Sequence, residues 1–199
     1  MSEIPEKDEK ILKLEEWAKE ASSHEAAEWD RMPEISLYMD QVLTYMNKQL
    51  SLYERSGSDT PLTSSMINNY VKDGILDRPE QKKYGRDHLA MLMVICLLKP
   101  VLSIQDISIL LKSMLEHSTK TELYQNFCEA QTAAFQDICG RLTEASSKGK
   151  DELYRLAVEF SVEARARRSA AERILSELEE APAKPEKGSK NKKKAESEK

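Results

Sequence analysis

Glycine is scarce in this chain, with 6 in 199 residues, and aromatic side chains make up only 6%. So few glycines leave little room for a phosphate-cradling loop, and neither a GxGxxG nor a Walker A pattern occurs. No GxSxG elbow is present either, so nucleophilic catalysis has no starting point. Cys96, Cys128 and Cys139 are an odd number without CxxC spacing. That excludes a disulfide framework or a zinc ribbon and suits free thiols in a reducing compartment. The longest apolar run, Leu89 to Leu98, would span ~15 Å as a helix, about half a bilayer's hydrocarbon. It reads as a buried helix, with no membrane partner expected. The acidic start lacks a secretory pattern, and a cytoplasmic location is expected. β-branched runs are few, and large sandwiches and (β/α)₈ barrels are excluded at this length.

An overall excess of positive charge is also missing, since the formal net charge is −5. The distribution is uneven. Residues 1–60 carry 7 basic and 14 acidic groups, residues 61–116 carry 7 and 6, and residues 181–199 carry 7 and 3. Affinity for a polyanion would have to reside in one local patch set against an acidic body.

What is present is helical periodicity. Four regions are expected: an acidic N-terminal helix (1–30), a small domain (31–117), a helical region (118–180) and a disordered lysine-rich tail (181–199). In the first, Ile11, Leu14, Trp17, Ala18 and Ala21 repeat at helical spacing over residues 6–28. A second helix is predicted from Leu37 to Tyr53, ending in a turn cluster at 55–61. Thr63 is the N-cap of a third and Gly74 its left-handed stop. Residues 75–84 contain Pro79 and fit two short extended pieces around a turn. The apolar helix follows from about Arg86 to Pro100, then a helix opened by Ser103 and Asp106. Two long helices complete the series. The first, capped by Thr119 and Glu122, places Tyr124, Cys128, Gln131, Phe135, Ile138 and Leu142 on one seam. The second repeats the pattern with Leu153, Ala157, Phe160, Ala164, Arg167, Ala171, Ile174 and Leu178. Alternating steps of four and three over about three and a half heptads describe a coiled-coil seam, read as a homodimer contact. Arg165, Arg167, Arg168 and Arg173 are expected to be interhelical ion-pair partners for nearby glutamates.

The most informative segment is Thr63 to Gly74. At ~100° per residue, Met66, Ile67, Tyr70 and Val71 fall on one arc. Ser64, Ser65, Asn68, Asn69 and Lys72 fall on the other. A solvated face would ordinarily carry Glu–Lys pairs. Serine and asparagine are mediocre helix formers but competent donor–acceptor groups. Asparagine pairs bidentately with adenine, serine with either base and lysine with phosphate or guanine. A capped helix whose polar face simply meets water is the competing reading of the same residues. The context tips the balance: a helix precedes it, and a basic hairpin (Arg78, Lys82, Lys83, then Arg86) follows. That is the layout of a winged helix-turn-helix, with the second helix in the major groove and the wing on the backbone.

Leu62 to Leu111 also resembles the DNA-binding domain of MerR-type transcription regulators. Their recognition helix ends in a Tyr-Tyr pair four residues before Gly-Leu, and here Tyr70 takes the second tyrosine and Gly74-Ile75 the pair. The arginine and first tyrosine of that helix are Asn68 and Asn69 here. Lys82-Lys83-Tyr84-Gly85 matches the end of the family's wing, and Val101 to Ile107 the segment joining its next helix pair. Met32–Leu115 is similar to a family of uncharacterised bacterial proteins described as a domain of unknown function with a MerR-like regulator fold.

The fold expected is mainly α: a MerR-like winged helix-turn-helix core with a small β-hairpin wing, followed by long C-terminal helices. The function expected is sequence-specific transcription regulation by a homodimer on double-stranded DNA, without enzymatic activity or cofactor. A small-molecule effector between the helices of 118–180 fits the pattern, as does plain dimerisation. The alternative is a non-enzymatic helical interaction module that reuses a winged-helix core. His24, His88 and His117 have no metal-ligand spacing. Cys128 and Cys139, three helical turns apart, are too distant to share an ion within one chain.

Overall fold

The computed structural model describes residues 9–23, 28–51 and 62–178. Within them lie seven α-helices: α1 (Glu9–Ser23), α2 (Met39–Leu50), α3 (Ser64–Lys72), α4 (Arg86–Leu98), α5 (Ile104–Leu115), α6 (Lys120–Lys148) and α7 (Lys150–Leu178). One 3₁₀ turn, Trp29–Arg31, precedes α2. The turn cluster at 55–61, His24 and the lysine-rich tail lie outside the described residues.

Helix starts follow from local chemistry. Thr63 Oγ1 accepts from Met66 N–H at 3.3 Å. Ser103 and Asp106 form a reciprocal capping box, as do Thr119 and Glu122. These satisfy backbone donors that a helix's first turn leaves open. The N–H and hydroxyl of Thr119 both donate to Glu122, which holds that carboxyl below its usual pKa. Stops are equally local: Gly74 sits at φ +69° and Gly149 at +104°, where a Cβ would be strained.

α4 is the centre of the molecule. Every residue from Leu89 to Ile95 is buried, so the helix is covered on all sides. Val42 and Met46 of α2, Ile67 and Tyr70 of α3, Ile107 and Leu111 of α5, and Leu123 and Tyr124 of α6 share its core. Leu175, near the end of α7, belongs to the same cluster. The long helices therefore fold back as a hairpin on the core of their own chain. A second cluster joins α1 to that hairpin, with Ala18 and Ala21 against Cys139, Leu142, Ala145 and Leu156. Arg141 staples the hairpin: its guanidinium lies 4.6 Å from the Phe160 ring centroid and pairs with Glu163 at 2.8 Å and Glu159 at 3.1 Å.

One expectation needs correction. No strand occurs among the described residues, so the β-hairpin wing is not supported and a winged helix-turn-helix is not established. Residues 80–84 instead form two isolated antiparallel bridges, Glu80 with Lys83 and Leu37 with Tyr84. Pro79, just before the first bridge, has no N–H with which to extend a ladder. Within the single chain, the seam of α7 is only partly buried. Leu153 and Phe160 are half-buried, but Ala157, Ala164, Arg167, Ile174 and Leu178 are exposed, while Leu156 and Leu175 are buried instead. α7 packs on α6 near its start and reaches α5 near its end, with its middle uncovered among the described residues.

The turn at 81–82 carries strain. Gln81 and Lys82 have φ of +48° and +63° between the bridged Glu80 and Lys83, a type I′ arrangement that favours Asn-Gly. A non-glycine residue there costs about 1–2 kcal/mol. Lys82→Gly relieves it while loosening the unfolded chain, for an expected net gain of about 0.5–1 kcal/mol. Urea denaturation checks this; a loss of stability would show that the Lys82 side chain makes contacts that outweigh the strain.

Candidate nucleic-acid interface

α3 separates its two arcs as its spacing requires. Ile67 and Tyr70 are buried, Met66 and Val71 half-buried, and Ser64, Ser65, Asn68, Asn69 and Lys72 all exposed. The C-terminal end is locked by main-chain bonds: Asp73 N–H donates to Asn69 O at 2.8 Å, and Ile75 and Leu76 N–H both donate to Tyr70 O. The polar arc is thus presented on a short, doubly secured helix. α1 does not lie over it, since its packing face is spent on α6 and α7.

The basic residues after α3 divide into two kinds. Arg78 and Lys82 are exposed, Lys82 at the apex of the strained turn, and neither has an ion-pair partner among the described residues. Lys83 is half-buried, with its ammonium 5.2 Å from the ring centroid of Tyr38. Arg86 is turned inward. It donates to Met32 O at 3.3 Å, lies 3.7 Å from Glu34, and stands 5.9 Å from the Trp29 ring centroid. Those contacts tie the start of α4 to the segment before α2 through one terminal nitrogen of Arg86, while its buried Nε has no hydrogen-bond partner among the described residues.

Two residues outside the sequence-derived set shape this surface. Tyr38 is 51% exposed beside the turn, held there because Leu37 and Tyr84 exchange both main-chain bonds at 2.8 and 2.9 Å. No sequence pattern short of that pairing would have placed it near Lys83. Lys120, at the start of α6, forms ion pairs with Asp77 and with Asp87. It offsets two carboxylates that would otherwise oppose a polyanion near the exit of α3.

A cleft of about 420 Å³ opens behind this surface, lined among others by Leu76, His88, Met91, Leu111 and Lys120. His88 Nδ1 accepts from Gly85 N–H at 3.1 Å, so its proton is assigned to Nε2, which has no partner among the described residues. The thiols are placed for packing. Burial pushes Cys96 up to about 12 and raises Cys128 and Cys139, so each favours the protonated form. Among the described residues no group of three or more His, Cys, Asp or Glu could hold a metal ion, and no helix is long and apolar enough to cross a membrane.

No curated protein and no solved structure matches the chain. One family does, over residues 27–130, which take in α2 to α5, the start of α6 and all the candidate contacts. The match agrees with the resemblance to an uncharacterised domain and carries no MerR assignment. Covering just over half of the sequence, it places the chain in the family described as a domain of unknown function, DUF1836.

Proposed function

We propose that the chain is a sequence-specific DNA-binding transcription regulator that acts as a homodimer. The observation that carries this reading is the exposed Ser64, Ser65, Asn68, Asn69 and Lys72 arc, free of carboxylates and backed by buried Ile67 and Tyr70. On this reading α3 lies in the major groove and its amides and hydroxyls meet base edges. Arg78, Lys82 and Lys83 hold phosphates from the adjoining turn, with the Tyr38 hydroxyl available beside them. Arg86 supports the surface from within. A small-molecule effector would have the cleft beside His88 and Lys120 available to it.

Two single substitutions test the assignment of roles. Asn68→Ala should relax base preference at one position by about 1–3 kcal/mol. Lys82→Ala keeps the strained backbone but removes a charge, so it should weaken binding to all duplexes alike and lower the salt slope by about one. The measurement is filter binding to selected and scrambled duplexes across a salt series. If both variants bind as the parent does, the roles are wrongly assigned.

A second reading, a helical module that binds another protein, is favoured by the inward commitment of Arg86 and by the near-neutral charge of residues 61–116. It predicts no duplex binding by the parent chain even at low salt.

A further inference from the structure

The N-terminal half of α7 carries, on the side away from α6, an apolar stripe with nothing packed on it among the described residues. Tyr154, Val158 and Val162 are 73%, 65% and 63% exposed. At four-residue intervals they fall within about 80° of one another on the helix. Leu156 and Phe160, on the other side, face α6 and α1.

The charges on α7 are nearly all engaged within the chain. Glu152 pairs with Arg155, Glu159 and Glu163 with Arg141, and Arg167 with Glu163. Arg168 pairs with Glu172 and Arg173 with Glu177, so these arginines bond along their own helix and not across to another. Lys150 has a partner as well. Among the described residues, Asp151 and Arg165 are the charged side chains of α7 left without one. They are opposite in sign, lie in the sector of the apolar stripe, and stand seven residues before and seven after Val158.

We infer that two copies of the chain pair through this face of α7, antiparallel and centred on Val158. In that register Val158 meets its own counterpart once on the two-fold axis, while Tyr154 meets Val162 of the second copy and Asp151 meets Arg165 of the second copy, each of these two contacts occurring twice by symmetry. The alternatives are worse electrostatically. A parallel pair sets Asp151 on Asp151 and Arg165 on Arg165, and an antiparallel pair centred two residues later sets Arg155 on Arg165. Like charges face to face discriminate against both. The interface thus differs from the seam read from the heptads, which is largely spent inside the chain or left solvent-facing.

The inference deepens the two-copy part of the proposed function, and its test uses no DNA, so either can fail without the other. A contact of about four turns is at the small end of stable interfaces, and the dimer should dissociate on dilution through roughly the micromolar range. Sedimentation of the full chain over a concentration series reads this. Asp151→Arg sets two like-charge contacts in the interface and should weaken dimerisation about tenfold or more. Asp151→Arg combined with Arg165→Asp should return it to within about threefold of the parent. Val158→Asp should leave a monomer with unchanged circular dichroism, because the residue is exposed. Val158→Cys should form a covalent dimer on mild oxidation where the parent does not. A parent chain that is monomeric throughout the series overturns the inference. So does a dimer indifferent to Val158→Asp, or a charge swap that fails to restore association.

Discussion

Replacing Asn68 and Asn69 together by aspartate should abolish specific duplex binding while the protein stays folded. Both side chains are exposed and neither supports the core, so the change should alter stability by no more than about 0.5 kcal/mol. The effect on binding is far larger. Each amide becomes an acceptor-only carboxylate, which on the proposed reading removes a donor to a base edge and sets negative charge against the phosphates. At about 1–3 kcal/mol per position, the pair should lower affinity about a hundredfold or more. Fluorescence anisotropy with a selected duplex, alongside thermal melting, separates loss of binding from loss of fold. If the double variant binds the duplex within a few-fold of the parent, α3 is not the reading element.

Tyr124→Ala should be the most damaging single truncation of the fold. The ring is fully buried at the start of α6, 6.3 Å from the Trp29 ring and in one cluster with Val42, Ile67 and Leu89. Removing it leaves a large cavity at the junction between the long hairpin and the small helices, at a cost of about 3–5 kcal/mol. Because Leu175 of α7 shares that cluster, the loss should appear in one cooperative urea transition followed by both fluorescence and circular dichroism. Two separated transitions, with only one displaced, would mean that α6 and α7 unfold independently of α2 to α5.

The parts of this fold legible from sequence are those decided within a few residues. Thr63, Ser103 and Thr119 cap the helices that their side chains predict, and Gly74 ends α3 as a left-handed residue should. The two arcs of α3 follow from a period of 3.6 and needed no knowledge of neighbours. What could not be read depends on long-range partners. Arg86 looks like any basic residue at a helix start, but its acceptor, Met32 O, is 54 positions away. Heptad spacing along α7 describes a helix able to pack, without saying whether its partner is α6 of the same chain or another molecule. The wing is unsupported for a third reason: the two extended pieces expected in 75–84 are too short, and too close to Pro79, to propagate beyond single bridges.

The enclosure of α4 has a consequence for biosynthesis. Its seven consecutive buried residues need α5 and α6 for cover, and both are translated after it. A nascent chain leaving the ribosome therefore carries an oily segment that cannot be hidden until α6 has emerged, a delay of several seconds at ~5–20 residues per second. Fragments ending near residue 117 should accordingly collect in inclusion bodies or on chaperones, whereas the full-length polypeptide should not.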